Sequence, residues 1–391
     1  MEGDFIKIND WLLPLSWIYG AGVRLRNQMF EMGMLKSRSF DIPVISVGNI
    51  TVGGSGKTPH VEYLINLLRD KVKVAVLSRG YKRKSKGYML ATADTPMSDI
   101  GDEPYQMKKK FADIYVAVDK DRCHGIDQLT ANEETSDTDV ILLDDAYQHR
   151  YVKPGVNILL VDYHRLIMYD KLLPAGRLRE PQKGKARADI VIVSKCPAEL
   201  KPMEFRVITK AMNLFPYQKL YFTTLKYGSL RPIYGGEDRK LDTLTGDTSI
   251  LLLTGIASPQ QMIVDLKPYT ERITPLTFPD HHQYTDADID RINAEFEAMK
   301  GNDKMIVTTE KDNARLCGME GLSDEVKKNI YVLPVEVGFM LDQEEDFNEN
   351  IISYVRKNSR NSILAKAKDD NKSDNSDNSG NRTRTISFRN N

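Results

Sequence analysis

Cysteine is nearly absent from this chain. Only Cys123, Cys196 and Cys317 occur in 391 residues. They are odd in number, widely scattered and form no CxxC pair, which argues against a disulfide framework or a thiolate metal site and for a reducing compartment, the cytoplasm. Net charge is absent too: 55 Lys and Arg balance 55 Asp and Glu, so no bulk field draws the chain to nucleic acid. A membrane span is also missing. The uncharged stretch WLLPLSWIYGAGV (residues 11–23) is interrupted by Pro14, Gly20 and Gly22 and is shorter than the about 20 apolar residues a span requires. It is no signal peptide either, because Glu2, Asp4 and Asp10 outnumber Lys7 at its head.

What is present is an ordinary apolar content of 41%, with length enough for two cored domains. Near the N-terminus, Leu12, Leu15, Tyr19, Gly22, Leu25, Met29 and Met32 recur at helical gaps, with Arg24, Arg26 and Lys36 on the other face. The only tryptophans, Trp11 and Trp17, sit here as well. Indole rings and basic residues suit the headgroup layer, so one reading is an interfacial helix. The other is a stripe docked on the protein's own core. The residues alone leave both open.

Strand-like apolar runs follow at 42–50, 73–78, 112–118, 139–145, 156–162 and 188–194, with helical patterns between them. Such runs are those of a parallel sheet covered on both faces. A smaller set (249–255, 273–278, 304–309) forms a second α/β unit, whose helix from Thr285 starts with a capping-box pattern, Thr285 with Asp288. A β-rich connector (220–236) separates the two, and residues 329–339 could return beside it. After Arg356 the chain is polar and reads as a disordered tail.

The stretch VISVGNITVGGSGKTPHVEYL (residues 44–64) carries the chemistry. In GxxxxGK[ST] loops, backbone N–H groups wrap phosphate, the Lys meets the outer phosphates and the hydroxyl meets Mg²⁺. Gly56, Lys57 and Thr58 fit, but Thr51 stands where the first Gly belongs. The strand before the loop and the helix pattern after Pro59 support a nucleoside triphosphate site over a chance glycine turn. An acid at a neighbouring strand end should hold the metal, and VILLDDAYQ offers Asp144 and Asp145. Val52 stands where dimerising ATPases have Lys, and SKCP lacks the Asp of the guanine-reading NKxD, so neither switch class fits.

This run, with LSRGYKR (77–83), GDEP (101–104), LLDDAYQHR (142–150), LLPAGRLREP (172–181), RADIVIVSK (187–195), FPDHHQY (278–284) and TTEKD (308–312), resembles the tetraacyldisaccharide 4'-kinase family, from about Leu12 to about Tyr354. That family's loop also lacks the first Gly. Two departures are Ala146 and Lys82, where the family commonly has Gly.

The resemblance implies a P-loop NTPase-like parallel-sheet domain (41–220) and a smaller Rossmann-like α/β domain joined by the β-rich linker (221–339). An amphipathic N-terminal segment (1–40) would precede them, and a C-terminal helix (340–357) and the tail (358–391) would follow. It implies transfer of the γ-phosphate of ATP, with Mg²⁺, to the 4'-hydroxyl of a tetraacyl disaccharide 1-phosphate. The site would be peripheral, at the cytoplasmic leaflet of the inner membrane, with no obligate protein partner. Thr51, Val52, Gly53, Gly54, Ser55, Gly56, Lys57 and Thr58 would hold nucleotide, and Thr58, Asp144, Asp145 and Glu180 the metal. Asp102 would accept the sugar proton, with Glu103 in support and His281, or failing it His282, as its partner. Arg79, Arg122 and Gln148 would face the lipid substrate. With Asp102 and His281 on different units, the site would assemble on closure. Two rivals remain: a soluble P-loop enzyme whose N-terminal stripe is core, and a membrane-bound nucleotide sensor without turnover.

Overall fold

The computed structural model describes residues 8–256, 259–280, 282–316 and 319–359. The expected tail lies, from residue 360 on, outside them. Eight strands come first: β1 (Val44–Gly48), β2 (Val74–Ser78), β3 (Met89–Leu90), β4 (Tyr115–Val118), β5 (Val140–Asp144), β6 (Val156–Asp162), β7 (Ile190–Ser194) and β8 (Lys219–Tyr227). β9 (Arg231–Pro232), β10 (Ser249–Thr254), β11 (Ile273–Thr277), β12 (Lys304–Thr309), β13 (Ile330–Leu333) and β14 (Val335–Phe339) follow. The helices are α1 (Leu13–Glu31), α2 (Lys57–Leu68), α3 (Met97–Ile100), α4 (Asp102–Lys110), α5 (Arg122–Ala131), α6 (Pro202–Met212), α7 (Gln260–Leu266), α8 (Asp286–Ala298), α9 (Glu310–Leu316), α10 (Asp324–Asn329) and α11 (Glu344–Asn358).

Nine strands form the larger sheet, in the order β14-β8-β7-β6-β1-β5-β2-β4-β3. Pairings from β8 through β4 are parallel, and the edge strands β14 and β3 are antiparallel. β1, β2, β5 and β7 are buried at every residue, as their largely apolar sequences require of strands covered on both faces. The chain runs outward from β1, returns to β5 beside it and then crosses to β6 on its other side. That reversal splays the loops at the C-terminal ends of β1 and β5, the crevice where open α/β sheets bind ligands.

The smaller sheet, β11-β10-β12-β13-β9, is parallel except for β9. The residues read as a connector divide between the sheets: β8 belongs to the larger and β9 to the smaller. The return does lie beside it. β14 pairs with β8, Val337 opposite Leu225, and Pro334 alone separates β13 in one sheet from β14 in the other. Gly228 N–H donates to Pro334 O at 3.0 Å, so the two crossings run side by side.

α1 docks through positions outside its apolar stripe. Ser16, Gly20 and Phe30 are the buried positions. Ser16 Oγ donates to Leu172 O (3.0 Å) and accepts from Ala175 N–H (3.0 Å). A Cβ at position 20 would lie 2.7 Å from Leu172 Cδ1, so the close approach requires glycine. The stripe itself faces outward: Leu15, Leu25 and Met32 are exposed, Trp11 is 93% exposed and Trp17 71%. This corrects the reading of a stripe buried on the core. At the other end of the chain, α11 buries Phe347, Ile351 and Val355 against the larger sheet.

Candidate active site

The loop after β1 is braced from several directions. Val52 N–H donates to Arg177 O (2.8 Å) and Arg179 N–H to Ile50 O (2.8 Å), so Thr51 continues strand-like pairing, bridged to Leu178. A position held extended has no need of a turn glycine, which accounts for Thr51. The turning falls on Gly53 (φ +117°) and Gly56 (φ +77°), conformations that residues with a Cβ resist. Asn49 Nδ2 donates to Ser55 Oγ at 2.7 Å, Ser194 Oγ to Ser55 O at 2.9 Å, and Lys195 Nζ to Gly54 O. His60, wholly buried on α2, contacts Gly56 O through Nδ1 (2.7 Å) and Thr223 Oγ1 through Nε2 (3.0 Å). A carbonyl only accepts, so Nδ1 carries the proton, and burial pushes the ring's pKa down to about 4, leaving it neutral.

At the mouth of the loop, Lys57 Nζ lies 3.7 Å from Asp145 Oδ1, which also accepts from Arg179 (3.2 Å). Burial works to raise the Asp145 pKa, but Lys57 and then Arg179 outweigh it and hold the carboxyl below its ordinary range. Asp145 adopts φ +45°, and Lys82 φ +56°, the second a position where the family commonly has Gly. Asp144 is fully buried. Its Oδ2 accepts from Ser78 Oγ (3.1 Å), while Oδ1 has no partner. Burial first, then the charges of Glu103 and Asp145, push its pKa up to about 7. Thr58 Oγ1 meets Glu103 Oε1 at 3.4 Å. An orphaned carboxylate oxygen among hydroxyl and carboxylate donors fits a hard, oxygen-seeking cation such as Mg²⁺.

Asp102 and Glu103 begin α4, and both are gripped from the smaller sheet. Asp102 Oδ2 accepts from Arg315 Nη2 at 2.5 Å, and Arg315 also donates to Asp312 Oδ1 (3.0 Å) and Gly255 O (2.9 Å). Glu103 Oε1 accepts from Lys311 Nζ. Burial works to raise the Glu103 pKa, yet Lys311 and Lys57 outweigh it and lower it. Lys311 is driven down by burial, but Glu103 outweighs that and keeps the ammonium above its ordinary value. The sequence reading gave neither Lys311 nor Arg315 a role. TTEKD carried the signal for Lys311 only as part of a resemblance.

The other expected residues are spread around this centre. His281 lies outside the described residues. His282 stacks on Phe278 (4.8 Å) and contacts Asp288 Oδ2 (2.9 Å), which also caps α8 through Thr285, so the helix start holds its imidazole. Glu180 is buried and accepts from Arg187 Nη2 (2.8 Å); no hydrogen bond ties it to Thr58, Asp144 or Asp145. Arg122, the buried first residue of α5, is disfavoured as a cation by burial and favoured by Asp144 and Asp145, and its Nε has no partner. Arg79 is exposed at the end of β2, and Gln148 is half-buried beyond the acid pair. A groove of about 690 Å³ runs between α1 and residues 170–187, bordered by Trp17, Arg24, Lys171, Lys183 and Arg187.

A phosphate loop at the switch point of a parallel sheet, faced by paired acids, defines a P-loop nucleotide-binding protein. The comparisons make the class specific. The family model described as Tetraacyldisaccharide-1-P 4'-kinase matches residues 8–356, and the chain belongs to that family. A protein of Phocaeicola vulgatus named Tetraacyldisaccharide 4'-kinase is 61% identical, covering 93% of this chain and 99% of its own. Proteins of the same name from Bacteroides thetaiotaomicron and Porphyromonas gingivalis are 54% and 44% identical, covering 93% and 90% of this chain and 98% and 99% of their own. Among solved structures, LpxK from Aquifex aeolicus, described as the "apo" form in complex with ATP, matches with a TM-score of 0.67 at 31% identity. The match covers 88% of this chain and 98% of that one.

Proposed function

We propose that the chain transfers the γ-phosphate of ATP to the 4'-hydroxyl of a tetraacylated disaccharide 1-phosphate, making the 1,4'-bisphosphate precursor of lipid A. The observation that carries this reading is the loop that ends in Lys57 and Thr58, which meet Asp145 and Glu103 at the edge where β1 pairs with β5, in a chain matched over residues 8–356 by the family. Phosphoryl transfer asks for neutralised phosphates, in-line placement and an acceptor for the sugar's proton. Backbone N–H groups of residues 53–56 and the ammonium of Lys57 bind the phosphates; the Val52 N–H, committed to Arg177 O, braces the loop instead. Thr58, Asp144 and Asp145 are the residues that would hold Mg²⁺, which would supply charge neutralisation to the phosphates. Asp102, fixed in orientation by Arg315, takes the proton from the 4'-hydroxyl, and His281 is its proposed partner. Glu180 acts at a remove, by ordering Arg187.

No described helix is long and apolar enough to cross a membrane. The exposed Trp11 just before α1, and Leu15, Trp17, Ile18 and Leu25 on it with Arg24 and Arg26, support docking of α1 at the cytoplasmic face of the inner membrane. The groove beside it mixes apolar and cationic groups, as an acylated sugar phosphate requires, and Arg79, Arg122 and Gln148 are its proposed contacts nearer the acids. The two sheets serve as two domains, hinged at the paired crossings around Gly228 and Pro334.

The test is transfer from labelled ATP, with Mg²⁺ and detergent, to a tetraacyl disaccharide 1-phosphate. Labelled bisphosphate from the wild type, lost in Lys57→Ala and Asp102→Ala, is the expected result. Nucleotide binding without product would leave a P-loop protein with another acceptor.

A further inference from the structure

We propose that Lys311 is a second phosphate-binding cation, delivered to the P-loop by the smaller sheet; the inference rests on the kinase reading above. Lys311 is the second residue of α9, which starts directly after β12, at the C-terminal edge where a parallel sheet presents ligand-binding groups. Its side chain borders a cavity of about 200 Å³ shared with Gly56, Lys57, Thr58, Glu103 and Lys195. The ammonium is bonded to Glu103 Oε1, the same oxygen that Thr58 Oγ1 meets at 3.4 Å. That shared atom puts the charge at the end of the loop where the signature's hydroxyl sits, the end that serves the outer phosphates.

A plain structural ion pair is the competing account, and the surroundings count against it. α9 is already fastened to α4 on both sides of Lys311. Glu310 accepts from Lys110 (2.7 Å), which also meets Glu62 (2.6 Å), and Arg315 meets Asp102 (2.5 Å). The third pair adds no fastening the other two lack, and Lys311 alone of the three cations borders the cavity. Its arrangement repeats that of Lys57. Each lysine rests on a carboxylate, Glu103 or Asp145, beside the oxygen donors that suit a divalent cation. When such a cation and its triphosphate occupy the cavity, phosphate oxygens replace carboxylates as partners of both ammonium groups. Charge spreads over the equatorial oxygens during transfer, and a cation supplied from a second element stabilises it, as an arginine finger does. The phosphoryl site is then complete only with both sheets in place.

The experiment compares Lys311→Met, Lys311→Arg and Lys110→Met with wild type in steady-state lipid phosphorylation, with thermal midpoints and fluorescent ATP-analogue binding measured alongside. Lys311→Met keeps the aliphatic stem. It should lose roughly 100-fold in kcat, the scale of removing one preorganised transition-state donor, with the KM for ATP changed only a few-fold. Lys311→Arg should recover at least about tenfold of that loss. Lys110→Met breaks the neighbouring fastening and should cost only a few-fold. Lys311→Met turning over near the wild-type rate, or Lys110→Met falling as far as Lys311→Met, overturns the inference while the kinase reading stands. A wild type that transfers no phosphate to the lipid overturns the kinase reading and the inference with it.

Discussion

His60 shows how a single buried residue fixes the loop. Its proton-bearing Nδ1 meets Gly56 O and its Nε2 meets Thr223 Oγ1, and burial keeps the imidazole neutral there. The folded pKa of about 4 is below the unfolded value of 6.5. Between those values the unfolded chain binds the extra proton, so stability rises with pH there. The contribution is fully present above pH 6.5, declines as pH falls and is spent by about pH 4, a span on the order of 3 kcal/mol. Urea unfolding at pH 7, 5.5 and 4 should show a steeper decline for wild type than for His60→Gln; parallel curves would contradict it. At this scale the sequence was legible where chemistry is local. Lys57, Thr58, Asp144 and Asp145 follow one another in short motifs. Arg315 and Lys311 were not legible as partners of Asp102 and Glu103, because those pairs span 213 and 208 residues. A Lys or Arg on a helix surface gives no sign of the acid that another sheet brings to it.

Among elements, α1 is the most informative. Periodicity revealed an apolar stripe but not what covers it, because a helical moment is the same whether core or lipid is the partner. The structure answers with Ser16, Gly20 and Phe30 as the docked face and the tryptophans outside. Replacing Trp11 and Trp17 together with Ser should therefore leave the thermal midpoint within about 2 °C of wild type, since neither side chain is packed. Partition onto vesicles of anionic phospholipid should fall at least tenfold, from the lost interfacial burial of two indoles. A large loss of stability with partition intact would reverse the assignment. The strands were easier to read. Unbroken aliphatic runs, bounded by acids and glycines, marked β1, β5, β6 and β7 almost to the residue. The connector was harder, because β8 and β9 form one extended run whose division between two sheets is set by its pairing partners.

For the whole molecule, cohesion between the sheets rests on buried charge at α4 and α9. Arg315 is fully buried between Asp102 and Asp312. Removing it with Arg315→Met strands two carboxylates away from water, at a cost of about 3–5 kcal/mol. Denaturant unfolding should register that loss, and a variant within about 1 kcal/mol of wild type would show that the sheets are held by something else. The α/β class and the two sheets could be read from alternating strand and helix patterns, but their mutual placement could not. It depends on two short crossings, at Gly228 and at Pro334, and on ion pairs between distant segments.

The central claim is that this chain puts a phosphate on the 4'-hydroxyl of a lipid that already carries one at position 1. Proton–phosphorus correlation NMR of the product formed from ATP, Mg²⁺ and tetraacyl disaccharide 1-phosphate tests it directly. The account predicts two phosphomonoester signals, the new one coupled to the proton at carbon 4' of the distal sugar. A diphosphate at position 1, or inorganic phosphate as the only new signal, would contradict it.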